Sequence, residues 1–286
     1  MTEGSTLWGR AVEAEPRGAA LTAARSSRPA HAGWRKPILG LLAVGLFTLT
    51  PLLAAACGGS TAATTLTVFA ASSLTDAFTK LGADYTAAHP GVKVVFNFTG
   101  SQDLVAQIQQ GAPADVFASA DPTSMAAVSG QVGAPTVFAG NQLEIVVAPG
   151  NPKGIRTLAD LADPGPKVVL AAPEVPAGKY AQQALAQAKV KVFPVSLEEN
   201  VKGVVTKVSL GEADAGIAYV TDVTAAKGKV DGVTIPAALN VTASYPVATL
   251  DATKHQSDAQ AFVDLVLSPQ GQRTLRGYGF LPPPTP

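Results

Sequence analysis

Two serine turns hold the chemistry that this sequence offers. Ser72 and Ser73 follow the apolar run 66–71, Leu-Thr-Val-Phe-Ala-Ala, and Ser101 lies in Gly100-Ser101-Gln102-Asp103, directly after the run 92–98. Each turn supplies hydroxyls and each opens a helix. Apolar residues recur at Leu74, Ala77, Phe78, Leu81 and Tyr85 behind the first turn, and at Leu104 and Ile108 behind the second, in steps of three and four. The first N–H groups of a helix lack intrahelical partners, and the helix dipole makes that end partly positive. A single serine there is equally well an ordinary N-cap that stabilises its helix by about 1 kcal/mol. Two such ends at successive strands of one sheet lie together at the carboxyl edge, where open α/β sheets bind ligands. Together they form a cradle for an anion.

The elements that must position these turns alternate along the chain. Strand-like runs at 66–71, 92–98, 115–118, 143–148, 167–171 and 214–219 alternate with helical spacings, and 233–236 and 247–250 are weaker strand candidates. Asp121-Pro122 opens a third helix. A short helix is expected at 157–162 with Thr157 as its cap, longer ones at 179–188 and 198–210, and one or two at 258–275 with a break near Ser268-Pro269. Such alternation argues α/β with mostly parallel sheets. There are too many strands for one compact sheet of this length. Two α/β lobes joined by two crossing segments, near Asn141 and Tyr245, fit better: lobe I is 66–140 plus 245–286, and lobe II is 141–244.

The front end reads differently. Residues 1–36 are rich in Ala, Arg and Ser without apolar periodicity and end in Arg35-Lys36, and 37–56 carry no charge. A basic flank, an apolar core and the small residues Ala54-Ala55-Ala56 before Cys57 make residues 1–56 an export signal with a long n-region. Cys57 at the junction resembles a lipobox cysteine, the lipidated first residue of a mature lipoprotein, although Ala54 stands where Leu is usual. A plain transmembrane anchor is the alternative, since the apolar run is just long enough to span a bilayer. Residues 57–65 then tether the body to the outer face of the membrane. Cys57 is the only cysteine, so the body holds no internal disulfide and rests on its core.

Composition excludes several functions. The net charge is zero, with 21 basic and 21 acidic groups. Six of the former and three of the latter fall in 1–56, which leaves fifteen and eighteen, a net of −3, on the body. There is no basic run and few aromatics, so nucleic acid is not a partner. An anion would have to be held by local dipoles and not by a global field. His89 and His255 lack neighbours at metal-ligand spacing and read as solvated surface residues. No G-x-S-x-G elbow, phosphate-binding glycine loop or dinucleotide fingerprint is present.

Several stretches together carry a family resemblance. Residues 68–78, Val-Phe-Ala-Ala-Ser-Ser-Leu-Thr-Asp-Ala-Phe, and 111–121, Gly-Ala-Pro-Ala-Asp-Val-Phe-Ala-Ser-Ala-Asp, resemble the molybdate-binding proteins of bacterial ABC importers. Residues 173–181, 211–222, 245–248 and 277–280 agree, so the resemblance spans 66–281. It implies a periplasmic-binding-protein type II fold, in which two lobes on a two-strand hinge close on molybdate or tungstate. The contacts it implies are Ser73 and Ser101 from lobe I, with the Ala177 and Val201 backbone N–H groups and the Tyr219 hydroxyl from lobe II. On spacing alone Ala177 is a turn residue, Val201 a core residue and Tyr219 a strand-end aromatic. The resemblance further implies no enzymatic activity, no cofactor, molybdenum only as the bound oxyanion with no protein–metal bond, and a monomer that serves a permease and its ATPase.

The implied chemistry is coherent. Molybdate is a fully deprotonated dianion, so its site needs only donors. Asp103 departs from the serine-rich turn usual in the family and would repel a dianion if it faced inward; it is expected to face outward. Rival readings are the same fold holding sulfate or phosphate, a regulator whose effector domain shares the architecture, and a secreted hydrolase using Ser73 or Ser101. The regulator needs a DNA-binding segment where 1–56 carry the export signal, and the hydrolase needs a base beside its serine.

Overall fold

The apolar run at the first serine turn becomes a strand buried on both faces. In the computed structural model, which describes residues 63–284, this is β1 (Thr64–Ala71), followed by a 3-10 turn at Ser72–Leu74 and α1 (Thr75–Ala88). Val68 to Ala71 are all buried, as expected of a strand with parallel neighbours and helices on both sides. The export signal, Cys57 and most of the tether lie outside the described residues. Thr64 already pairs with Val92, two residues inside the stretch read as tether.

The first half continues with β2 (Val92–Thr99), α2 (Ser101–Gln109), β3 (Val116–Ala118) and α3 (Pro122–Ala126). β1 pairs in parallel with β2 and β3. The long strand β4 (Thr136–Val147) leads to the second half: β5 (Val168–Ala171), α4 (Pro176–Gln187), β6 (Ser196–Glu198), α5 (Val201–Ser209), β7 (Ala215–Tyr219), α6 (Val220–Ala225) and β8 (Asp231–Thr234). Here β5 lies parallel between β6 and β7. The chain returns along β9 (Thr242–Thr249) and ends in α7 (Gln256–Leu267) and α8 (Pro269–Gly277).

β4 belongs to both halves. It pairs antiparallel with β9 over Thr136–Gln142, then with β7 over Leu143–Val147, with β8 on its other side. β9 in turn pairs with β3 from Val247 to Thr249. The Asn240 side chain bonds both the N–H and the C=O of Leu143, at 3.0 and 2.8 Å. The strand path therefore runs β2-β1-β3-β9-β4-β7-β5-β6. The result is a two-lobe α/β fold, the class that the alternation argued.

The helical spacings become buried stripes. α1 buries Ala77, Phe78, Leu81, Gly82 and Tyr85, and α5 buries Val201, Val204, Val205 and Val208. Phe78 is fully buried. Its ring meets Phe138, Phe262 and Phe96 at centroid distances of 5.7, 6.0 and 6.4 Å, which ties α1 to β4, α7 and β2.

Four elements differ from the sequence reading. β4 starts seven residues before Leu143; Gly140 and Asn141 hide it, because both are poor strand formers. At Gly140 the chain pairs with Leu281 through two 2.9 Å backbone bonds. β6 has only three residues at the sheet edge. α6 is rich in Val and Thr, so its intrinsic preference for helix is low, and burial of Thr221, Asp222 and Val223 holds it. Thr157 caps nothing. The Asp160 carboxylate takes the N–H groups of Arg156 and Thr157 at 2.7 and 2.9 Å, being the stronger acceptor. The break at Ser268-Pro269 is present, with Ser268 capping α8 through the Gly271 N–H.

Replacing Phe78 by Ala should lower unfolding free energy by about 3–5 kcal/mol. Urea denaturation should show an earlier midpoint with an unchanged slope.

Candidate functional site

Helix starts converge where the two halves face each other. α2 begins at Ser101, with Gly100 extended before it and no side-chain cap. α4 begins at Pro176, also without a side-chain cap. Proline has no N–H, so the Ala177 N–H is the first that this helix presents. α5 begins at Val201, three residues later than its apolar spacing suggested, because Asn200 ends the extended segment and caps the helix through the Gly203 N–H at 3.0 Å. The N–H groups of Ser101, Ala177 and Val201 lie in first turns and have no intrahelical acceptor.

One cavity collects these ends. It is lined by Ser72-Ser73 and Gly100-Ser101 from the first half, and by Ala177, Val201 and Tyr219 from the second. All five residues named from the resemblance are thus brought together, although they lie far apart in the chain. The cavity is small. Its central free space is about 10 Å³ for a water-sized centre, room for about one such sphere. A larger hollow of about 510 Å³ lies at the amino ends of β1 and β3, around Asp115, Thr253 and His255, away from the helix starts. There His255 Nδ1 stands 3.2 Å from the buried Asp115 carboxylate, so His255 is tied to the body and is not simply solvated.

The cavity offers donors and no charge: no Lys, Arg, Asp or Glu lines it. Ser101 Oγ accepts the Ala120 N–H at 3.0 Å, which leaves its own proton free. Ser73 Oγ lies 3.0 Å from Tyr245 Oη. Neither serine caps its helix. Tyr219 is 1% exposed, and its hydroxyl has no hydrogen-bond partner. Burial holds its pKa well above the ordinary phenol value, with Tyr245 and Tyr180 adding to the effect. It therefore stays a neutral donor. An unpaired buried hydroxyl costs about 1–3 kcal/mol until an acceptor arrives. Asp103 is not among the lining residues and takes the Thr99 hydroxyl at 3.1 Å.

Charges sit around the cavity, bridging the two halves. Lys179 of α4 meets Asp121 at 2.8 Å, and Lys202 of α5 meets Asp76 of α1 at 2.8 Å. Gln102 Nε2 donates to the Glu199 carbonyl at 2.8 Å. Gly100 permits this approach, because a Cβ there would lie 2.6 Å from Glu199 O. Gly178 does the same inside the second half, where a Cβ would fall 2.0 Å from Ala172 O. Sequence reasoning passed over Gly100 and gave Tyr245 and Asn141 no role in the site. The signals were a glycine before a helix start, and polar residues within otherwise apolar crossing strands.

Fold and cavity define a class: a two-lobe α/β binding protein whose cleft collects hydroxyls and helix N-termini. The profile of the bacterial extracellular solute-binding protein family matches residues 66–281, and the chain belongs to that family. The molybdate-binding protein ModA of Mycobacterium tuberculosis (strain ATCC 25618 / H37Rv) is 43% identical over 229 residues, which covers 79% of this chain and 88% of that one. Among solved structures, the sulfate-binding protein SubI of Mycobacterium tuberculosis H37Rv superposes with a TM-score of 0.69 at 23% identity, covering 77% of this chain and 87% of SubI. The periplasmic molybdate-binding protein of Azotobacter vinelandii gives 0.66 at 21% identity, covering 77% and 100%. These two likenesses speak for the fold. Among the described residues no helix is long and apolar enough to cross a membrane, and no group of three or more His, Cys, Asp and Glu is placed to hold a metal ion.

Asp222, at the start of α6, is buried, and neither carboxylate oxygen has a hydrogen-bond partner. Burial pushes its carboxyl up to about 7 from 3.8, only partly offset by Lys202, whose Nζ lies 3.8 Å away. The folded state then binds more protons than the unfolded state between about pH 4 and 7. This group's contribution to stability is largest at the acid side of that window and is lost as pH rises through 7. Asp222→Asn should remove that dependence and stabilise the protein at pH 8 by a few kcal/mol, since each tenfold change in proton affinity is worth about 1.4 kcal/mol. Denaturation of both proteins at pH 5 and pH 8 measures it.

Proposed function

We propose that this chain captures molybdate or tungstate outside the cytoplasm and delivers it to the permease and ATPase of an ABC importer. The observation that carries the reading is the uncharged cavity rich in donors, above all the buried Tyr219 hydroxyl without a hydrogen-bond partner beside two serine hydroxyls and three free helix N–H groups. Such a set suits an oxyanion that accepts at every oxygen and carries no proton. Helix ends supply the positive potential in place of lysine. The relative named for molybdate, 43% identical over most of the chain, supports the same ligand.

In this reading Ser73, Ser101, Ala177, Val201 and Tyr219 contact the oxyanion and no protein atom bonds molybdenum. Residues 66–140 with 245–286 form one lobe and 141–244 the other, closing on the ligand about the crossing strands, so that the permease reads closure. The protein acts as a monomer without catalysis: neither His89 nor His255 lines the cavity, so its serines have no base. Export followed by lipidation of Cys57 would hold the body at the outer face of the membrane.

Calorimetric titration with molybdate, repeated in excess sulfate, tests the reading. One site per chain, unmoved by sulfate, is expected; no heat, or heat abolished by sulfate, overturns the molybdate assignment. Ser73→Ala and Tyr219→Phe should each weaken binding about 10- to 100-fold, the range for a hydrogen bond to a charged group.

A further inference from the structure

We propose that Asp222 takes up a proton when the lobes close on the oxyanion, so that capture of a ligand which carries no proton is still coupled to pH. The inference rests on the oxyanion reading above and adds to it a group that does not touch the ligand.

Asp222 lies in the first turn of α6, and its side chain is 0% exposed. Neither of its oxygens has a hydrogen-bond partner. Among the described residues the cation beside it is Lys202 of α5, whose Nζ stands 3.8 Å from Asp222 but 2.8 Å from Asp76. Lys202 and Asp222 belong to the second half of the molecule, and Asp76, on α1, to the first. Lys202 thus reaches across the cleft to the opposite carboxylate and leaves the one in its own half at a distance. A buried carboxylate with no donor, and with a cation committed elsewhere, is favoured in its neutral form. Burial accordingly pushes the Asp222 carboxyl up to about 7; Lys202 and the Tyr219 backbone draw it down, and Asp76 raises it.

The other titratable groups on the elements packed against α6 are engaged elsewhere or keep their protons. Glu144 of β4 lies against Gly232, Asp231 of β8 accepts the Gly150 N–H at 2.6 Å, and Lys207 of α5 pairs with Glu198. Burial keeps Tyr219 and Tyr245 protonated. Towards the first half, a hollow of about 250 Å³ separates Thr221, Thr224 and Ala225 from Asp76, Ala77 and Tyr278. Parting the lobes opens this hollow to water and carries Asp76 away from Lys202. Both changes favour the charged form of Asp222: its burial lessens, and it becomes the carboxylate nearest to Lys202. Closure reverses both. The charge of Asp222 is felt at the Tyr219 hydroxyl, so a dianion bound there repels it and favours the proton further. The closed, loaded form therefore holds a proton that the open form releases. A pKa raised by binding means that affinity is greatest on the acid side and falls as pH rises through the raised value.

Calorimetric titration with molybdate at neutral pH, in two buffers of unlike ionisation enthalpy, counts the protons exchanged, and titrations from about pH 6 to about pH 9 give the affinity. Molybdate is fully deprotonated throughout, so any proton exchanged belongs to the protein. Wild type should take up about half a proton or more at neutral pH and lose about tenfold in affinity from about pH 6 to about pH 8, within the one-proton limit of about tenfold per pH unit. Asp222→Asn should bind with a heat that does not depend on the buffer and an affinity that is nearly flat with pH. A merely structural Asp222 would instead give a variant weakened alike at every pH, with the proton uptake of wild type. Asp76→Asn removes a charge that favours the proton, from a side chain that is 47% exposed, and should move the window to lower pH. It decides the matter if melting shows Asp222→Asn to be unfolded. Buffer-independent heat in wild type, undiminished uptake in folded Asp222→Asn, or an unmoved window in Asp76→Asn overturns the coupling. Wild type that binds no molybdate at any pH instead overturns the importer reading, which keeps the two failures apart.

Discussion

In the proposed reading, a dianion held without a countercharge is the constraint on which the site depends. Removing such an ion from water is costly unless every oxygen finds a donor already in place. Donors of that kind do not come from long flexible side chains. They come from backbone N–H groups at helix starts, and from hydroxyls whose orientation is set by a second contact. The fold supplies both by ending parallel strands at one edge and launching helices there. Pro176, Asn200 and Gly100 each place a helix start without filling the space in front of it. The flanking ion pairs of Lys179 and Lys202 bridge the halves and do not line the cavity, so each lysine's charge is balanced by a carboxylate.

Much of this was legible in the sequence. The strand–turn–helix grammar at Ser73 and Ser101 is local, and so was the break at Ser268-Pro269, because Pro and Ser act within a turn of their own position. The class of fold followed from alternation. Tyr219 was legible only as a strand-end aromatic, since nothing in its neighbours says that its hydroxyl is left without a partner. That fact belongs to the tertiary structure. The start of β4 was hidden for a related reason: Gly140 and Asn141 look like a turn, and only their pairing with Leu281 and β9 makes them strand. Asn141 is polar in a buried strand because three partners surround it, and those partners come from residues 142, 221 and 245.

Local preference and global demand disagree most at α6. Its Val and Thr residues would favour a strand, and the fully buried Asp222 follows three residues behind the Tyr219 hydroxyl. Unfavourable local choices of this sort gather at functional sites, where stability is given up for placement. The same region carries the buried polar atoms of Tyr219 and Asp222 that have no hydrogen-bond partner. The burial that makes Tyr219 a permanent donor also makes Asp222 hold its proton.

The pairing of β9 with β3, and of Leu281 with Gly140, has a consequence for how the molecule comes into being. The first half contains the earliest residues of the body and the last ones. Strands β1 to β3 leave the ribosome well before β9, α7 and α8 exist to complete their sheet and cover Phe78. For the length of the whole second half, they remain an unfinished edge. Closing them needs contacts between residues more than a hundred apart, and such topologies assemble slowly. The second half is made of one continuous stretch and has no such wait. The chain is built to be completed late, after its last strand has emerged.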